Sequence, residues 1–118
     1  MSFDFNHVHL KTPDPAATAR FYVENFGAKI VEDRPGWGLR LDLHGVLLNV
    51  TPLVTTQKHE QHYGIEHLAL DTDDYAGTLA SLRANGVEIL EELTTPDNRR
   101  VCFLQAPDGA HVEIIEKT

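Results

Sequence analysis

The feature that most constrains this chain is an internal repeat, in which its second half resembles its first. When the segment beginning at His7 is laid over the segment beginning at His67, the residues Leu10, Thr12 and Asp14 meet Leu70, Thr72 and Asp74. After a one-residue slip Gly27 meets Gly86, and near the end of each half Asn49 meets Glu113. Self-similarity of this kind indicates one supersecondary unit used twice.

Each repeat carries the pattern of a βαβββ unit. In the first, an alternating strand at residues 8–11 is followed by a proline-rich break with Thr12 or Asp14 as the helix cap. A helix at 16–26 ends at Gly27, and strands follow at 29–32, 38–43 and 46–51. The second repeat predicts a strand at 66–71, a helix at 74–85 and strands at 87–93, 100–105 and 111–116.

A single βαβββ unit cannot bury its sheet alone, so two units are expected to lie side by side. The predicted fold is therefore α+β, a cupped eight-stranded mixed sheet with the helices outside. The first unit comprises residues 1–51, a polar linker 52–63, and the second unit 64–118. The units can pair within one chain or by exchange across a dimer, and a homodimer is expected because units this small expose apolar sheet.

Strand alternation places polar side chains of both repeats on the face away from the helices. Four of them occupy positions that the repeat matches in pairs: His7, Asn49, His67 and Glu113. Two imidazoles and one carboxylate form a facial triad, which suits one divalent ion of Fe, Mn, Ni, Co or Zn. The competing interpretation for any one of these residues is a hydrogen-bonded polar group in the core. The repeat-matched set favours His7, His67 and Glu113 as metal ligands.

Further residues are candidates for catalysis or substrate binding. His9 shares the face of His7 and can serve as a general base, and Asn49 lies at the remaining matched position. Arg99 and Arg100 are the preferred pair for a substrate anion, ahead of Lys11 and Arg40. Trp37 and His111 are candidates for the wall of the substrate site. The alternatives are hydrogen-bonded core groups for the histidines, solvated strand ends for the cations, and interface packing for Trp37.

The charge balance limits the classes of partner. The chain has 18 acidic and 10 basic residues, a net charge of −8, which argues against nucleic acid or an anionic membrane as the partner. A small-molecule substrate remains, because a site can be locally basic. Cys102 is the only cysteine, so no intrachain disulfide is possible, and no signal peptide precedes the first strand. The expected location is the cytoplasm.

Several segments together resemble the vicinal oxygen chelate superfamily, which includes glyoxalase I, methylmalonyl-CoA epimerase, extradiol dioxygenases and metal-free bleomycin-binding proteins. The resemblance rests on residues 6–10, Asp14, 21–22, 26–27, 64–70 and 107–113. It implies the same fold, and the ligand pattern of the metal-binding members falls on His7, His67 and Glu113. Glyoxalase I and the epimerases have a fourth ligand where this chain has Asn49, which is a poor proton acceptor. The Asn49 carbonyl is at most a weak ligand, and a site with three protein ligands is closer to the dioxygenases and the fosfomycin-resistance transferases of the superfamily.

The leading hypothesis is a lyase or isomerase in which a small oxygenated substrate chelates the metal and an enolate-like intermediate forms. An Fe(II) or Mn(II) dioxygenase that uses the same triad is the second hypothesis. A metal-free binding or resistance protein is the third, and it has no need of two histidines and a glutamate on matched strands.

Overall fold

The computed structural model describes residues 1–118 and confirms two βαβββ repeats in chain order. The first repeat consists of β1 (Phe3–Lys11), α1 (Pro15–Phe26), β2 (Lys29–Arg34), β3 (Gly38–Leu43) and β4 (Val46–Thr51). The second consists of β5 (Gly64–Thr72), α2 (Tyr75–Ala84), β6 (Ile89–Thr94), β7 (Arg100–Gln105) and β8 (His111–Glu116). A turn of 3-10 helix, Pro107–Gly109, stands between the last two strands. Neither α-helix is long and apolar enough to cross a membrane.

The strands form an eight-stranded sheet in the order β2-β3-β4-β1-β5-β8-β7-β6. β1 pairs with β4, and β5 with β8, in parallel, whereas the hairpins β2–β3, β3–β4, β6–β7 and β7–β8 are antiparallel. The predicted α+β fold with an eight-stranded mixed sheet is therefore confirmed. Both repeats have the same internal strand order, as expected when one supersecondary unit is used twice.

Contacts divide the chain into two compact units. The first, here called the N-unit, is His7–Glu66, and the second, the C-unit, is Met1–Asn6 together with His67–Thr118. The first strand begins at Phe3 rather than at the predicted residue 8. Its extra residues are held within the C-unit, where Asn6 Nδ2 donates to Asp71 Oδ1 at 3.0 Å. The division into residues 1–51, 52–63 and 64–118 stays a prediction.

Both helices begin at aspartate caps. Asp14 accepts a hydrogen bond from the Ala17 amide at 3.1 Å, and Asp74 accepts one from the Gly77 amide at 3.0 Å. α1 ends at Gly27, whose φ of 72° lies in the left-handed region that favours glycine. After α2, the Val87 amide still donates to the carbonyl of Leu82, at 3.0 Å. This cap is the reason that β6 begins at residue 89 rather than at the predicted 87.

The two units differ on the sheet face that points away from their helices. In the N-unit, the core lies between α1 and the sheet, where Leu10, Leu41 and Val50 are buried. The C-unit has a similar core under α2 and a second apolar cluster on its other face, formed by Ala69, Val101, Phe103 and Ile115 with Leu90 and Leu93. The corresponding face of the N-unit is instead polar.

Candidate functional site

The polar face of the N-unit begins with the side chains of β1. Val8 and Leu10 pack toward α1, so alternation turns His7, His9 and Lys11 to the other side. All three are buried. The rings of His7 and His9 lie 5.7 Å apart between centroids, at 60° to one another, and their ligating nitrogens lie within 4.8 Å. The orientation predicted for these side chains follows from the alternation of the strand.

The tautomer of neutral His9 follows from its neighbour on β4. His9 Nε2 lies 2.7 Å from Thr51 Oγ1, and the Thr51 hydroxyl itself donates to the carbonyl of Pro52 at 2.7 Å. Because a hydroxyl has only one hydrogen, its oxygen must accept the bond from His9. Neutral His9 therefore carries its proton on Nε2, and its basic lone pair is on Nδ1. Sequence reasoning missed Thr51, since nothing in its spacing marks it as a partner of His9.

Three polar residues form a row across the N-unit sheet, here called the polar row. His9 is the register partner of Asn49 in the β1–β4 pair, and Asn49 is the register partner of Arg40 in the β3–β4 pair. Side chains that are directly opposite on adjacent strands share one face of the sheet. Asn49 is 4% exposed, and its Oδ1 atom is buried with no hydrogen-bond partner. A buried acceptor of this kind is costly unless a ligand satisfies it.

Trp37 lies near both ends of the polar row. The guanidinium carbons of Arg34 and Arg40 each lie 4.9 Å from the centre of its ring, and the His9 ring is at 6.4 Å. The next residue, Gly38, has no room for a side chain, because a Cβ there would lie 2.2 Å from a backbone oxygen of β4. This close approach positions Trp37 against the sheet. Trp37 also lines an open cleft of about 350 Å³ near the start of α1.

The predicted ligands of the C-unit lie next to each other. His67 Nε2 is 3.1 Å from Glu113 Oε1, with the side chains 1% and 15% exposed. The edge of the His67 ring packs at 81° against Phe103, at a centroid distance of 5.3 Å. His111 is buried and is the register partner of His67 across the β5–β8 pair. The C-unit therefore brings together two of the predicted metal ligands and one predicted substrate residue.

The two arginines predicted to bind an anion have other partners. The guanidinium of Arg100 donates two hydrogen bonds to Glu116 Oε2, at 2.6 and 3.2 Å, and stacks on Tyr75 of α2 at 4.8 Å. These bonds hold the pKa of Glu116 at about 2 and raise that of Arg100. Arg100 lies on the same sheet face as Cys102, under α2, whereas Glu113 is on the opposite face. Arg99 is bonded to Asp97 in the turn before β7.

The sequence did not predict the buried ion pair that lies near the start of β5. Lys11 Nζ lies 2.9 Å from Glu66 Oε2, and both side chains are fully buried. The same ammonium donates to Gln57 Oε1 at 2.7 Å and to Gln61. The segment 52–63 contains no helix or strand, yet these bonds hold it to β1 within the N-unit. Alternation indicates the face of Lys11, but no pattern identifies its partners in an irregular segment.

Comparison with known proteins gives a family and a fold. Residues 4–114 match the family model described as the Glyoxalase/Bleomycin resistance protein/Dioxygenase superfamily. Glyoxalase I of Saccharomyces cerevisiae is 25% identical over 93% of this chain and 44% of its own length. The chain spans about half the length of the curated relatives that it matches.

Two solved structures share the fold at 20% sequence identity. A hypothetical protein from Bacillus halodurans has a TM-score of 0.75, covering 100% of this chain and 96% of that one. Methylmalonyl-CoA epimerase from Mycobacterium tuberculosis has a TM-score of 0.70, covering 97% of this chain and 87% of that one.

Proposed function

Because this chain belongs to the glyoxalase, bleomycin resistance protein and dioxygenase superfamily, we propose that it is a metal-dependent enzyme of the lyase or isomerase kind. Its substrate is a small oxygenated molecule. The observation that carries the proposal is the contact of 3.1 Å between His67 and Glu113, at positions that the repeat matches to His7 and Asn49. One of the relatives is a lyase and one of the structures with this fold is an epimerase, which agrees with this reaction type.

The proposed metal ligands are His7, His67 and Glu113. Two atoms in adjacent positions on one ion, each at about 2.1 Å from it, lie about 3 Å apart, and the His67–Glu113 distance fits that separation. The partnerless, buried Oδ1 of Asn49 also fits a polar ligand on the same face as His7. A divalent ion of Fe, Mn, Ni, Co or Zn would supply Lewis acidity toward substrate oxygens.

His9 is the proposed base. Its proton is held on Nε2 by Thr51, so its Nδ1 lone pair accepts the proton removed from the substrate carbon next to a carbonyl. Thr51 thereby keeps the imidazole in one orientation and one tautomer. Asn49, the neighbour of His9 in the polar row, binds and orients a substrate oxygen or nitrogen that carries a hydrogen. Proton abstraction in this arrangement needs no carboxylate at position 49.

Trp37 and His111 are proposed to contact the substrate, since both lie beside catalytic or ligand candidates of their own unit. Arg99 and Arg100 are not proposed to bind substrate, because Arg99 Nε is bound to Asp97 and Nε and Nη2 of Arg100 are bound to Glu116.

The test combines metal analysis with a substrate screen on three ligand variants and one base variant. We expect His7→Ala, His67→Ala and Glu113→Gln each to lose tightly bound metal, measured by elemental analysis, while circular dichroism shows a retained fold. His9→Ala should keep the metal and lose turnover by at least about a hundredfold. Full metal content in all three ligand variants would contradict the metal site. Oxygen uptake with catechols, and no lyase or isomerase turnover, would indicate the dioxygenase instead.

A further inference from the structure

The polar row of the N-unit differs from its counterpart in the C-unit. In the second repeat the register partners of Glu113 are Ala69 and Phe103, just as His9 and Arg40 are the register partners of Asn49. Ala69 and Phe103 are 0% and 1% exposed and belong to an apolar cluster. The same scaffold thus has apolar residues at the positions matched to His9 and Arg40, so polar side chains at those two positions are not required by the fold.

The two edges of the Arg40 guanidinium differ in their hydrogen-bond partners. Its Nη1 atom, on the Cδ side of the group, is bound to Glu32 Oε1 at 3.2 Å, and its flat face stacks on Trp37. The opposite edge consists of Nε and Nη2, and Nε is buried with no hydrogen-bond partner. That edge has the geometry that binds a carboxylate through two parallel hydrogen bonds. The side chain as a whole is 34% exposed, whereas Nε itself is buried, so a ligand reaches this edge only when neighbouring side chains move.

Asn49, on the adjacent strand β4, provides a hydrogen-bond acceptor next to this edge. Directly opposed residues on adjacent strands have Cβ atoms about 5 Å apart, so a small molecule can contact Arg40 and Asn49 together. Arg40 Nε is a donor without an acceptor, and Asn49 Oδ1 is an acceptor without a donor. A ligand that satisfies both offers an acceptor, for which an anionic oxygen suits the guanidinium, and close to it an O–H or N–H group.

We propose that Arg40 and Asn49 form a subsite for a small hydroxy acid, with the carboxylate on the Nε edge of Arg40 and the hydroxyl donating to Asn49 Oδ1. The inference rests on the proposed function, because it names the substrate class for the face that carries His9. Trp37 packs against the Arg40 guanidinium, and Glu32 binds its other edge. The subsite gives a chain of net charge −8 a local binding place for an anion.

Arg34 offers a matched control for Arg40. It also stacks on Trp37 at 4.9 Å and also binds Glu32, but its Nε is already occupied by Glu32 Oε2 at 2.9 Å. Arg34→Gln and Arg40→Gln therefore remove the same charge from the same cluster, and only Arg40→Gln removes the proposed carboxylate edge. Arg40→Lys keeps the charge without the two-bond edge, and it provides a second variant should Arg40→Gln fail to fold.

The experiment measures binding of glycolate, acetate and glycolamide by titration calorimetry to the full chain, treated with EDTA so that no metal contributes. 3-Hydroxypropionate is included to test a hydroxyl one carbon further away. We expect a hydroxy acid to bind more tightly than acetate or glycolamide. Arg40→Gln and Arg40→Lys should weaken its binding at least about tenfold, and Arg34→Gln less than twofold. Asn49→Ala should weaken the hydroxy acid about three- to tenfold and leave acetate unchanged.

Equal losses in Arg34→Gln and Arg40→Gln would overturn the subsite, as would the absence of binding of both hydroxy acids to the wild-type chain. The result is distinguishable from a failure of the proposed function. In the presence of EDTA, His67→Ala should bind the hydroxy acid as tightly as the wild type does. Metal retained in the ligand variants would contradict the metal site and leave the subsite intact.

Discussion

At the scale of single residues, Asn49 separates a three-ligand site from a four-ligand site. The repeat matches it to Glu113, but an amide lacks the charge and basicity of a carboxylate. We expect Asn49→Glu to hold metal at least about tenfold more tightly and to lose turnover, because the added carboxylate takes a position that the substrate needs. Asn49→Gln, which keeps the amide, should change metal affinity little.

The measurement is a side-by-side assay of metal affinity and turnover in the two variants. Tighter metal with higher turnover would refute the open three-ligand site and favour a base at position 49. Unchanged affinity in Asn49→Glu would show that Asn49 does not face the metal.

At the scale of elements, Arg100 connects β7 to β8 through Glu116 and to α2 through Tyr75. The pKa of Glu116 is lowered from 4.5 to about 2, chiefly by its hydrogen bonds from Arg100. A carboxylate with a lowered folded-state pKa stabilises the fold above its ordinary pKa, and the effect is lost as the pH falls through about 2. We therefore expect Glu116→Gln to lower the melting temperature slightly at pH 7, with the difference from wild type shrinking between pH 5 and pH 2.

The effect should be small because the pair is on the surface. Arg100→Gln and the double variant complete a thermodynamic cycle measured by thermal denaturation. A double variant that loses the sum of both single effects would show that the two side chains do not act as a pair.

At the scale of the whole molecule, several large apolar side chains remain exposed. Phe21 and Phe26 of α1 are 53% and 54% exposed, with their rings 5.8 Å apart, and Ile30 and Val31 of β2 are more than half exposed. Exposed apolar groups that adjoin one another commonly mark an interface between proteins. We therefore expect a homodimer. Light scattering at micromolar concentration should give twice the chain mass of 13.2 kDa, and a single species at the chain mass would contradict it.

The sequence alone determined the repeat, the fold class and the faces of the polar side chains on β1, β4 and β8. Two local signals were sufficient for this: the alternation that puts His7 with His9, Asn49 with Thr51, and His111 with Glu113 on one face of their strands, and the repeat-matched aspartates at the start of each helix. Both signals depend on residues a few positions apart, so they need no knowledge of the folded chain.

Tertiary structure alone determined which side chains meet. Residues 101–104 of β7 are apolar on both faces, so alternation gave no direction for Arg100, and only packing against α2 placed it with Tyr75. Lys11 finds its partners in the irregular segment 52–63 and at Glu66, and Arg40 meets Trp37 and Glu32 after a register shift in the β2–β3 pair. Such contacts depend on long-range register and on loop conformation, which no periodic pattern in the sequence encodes.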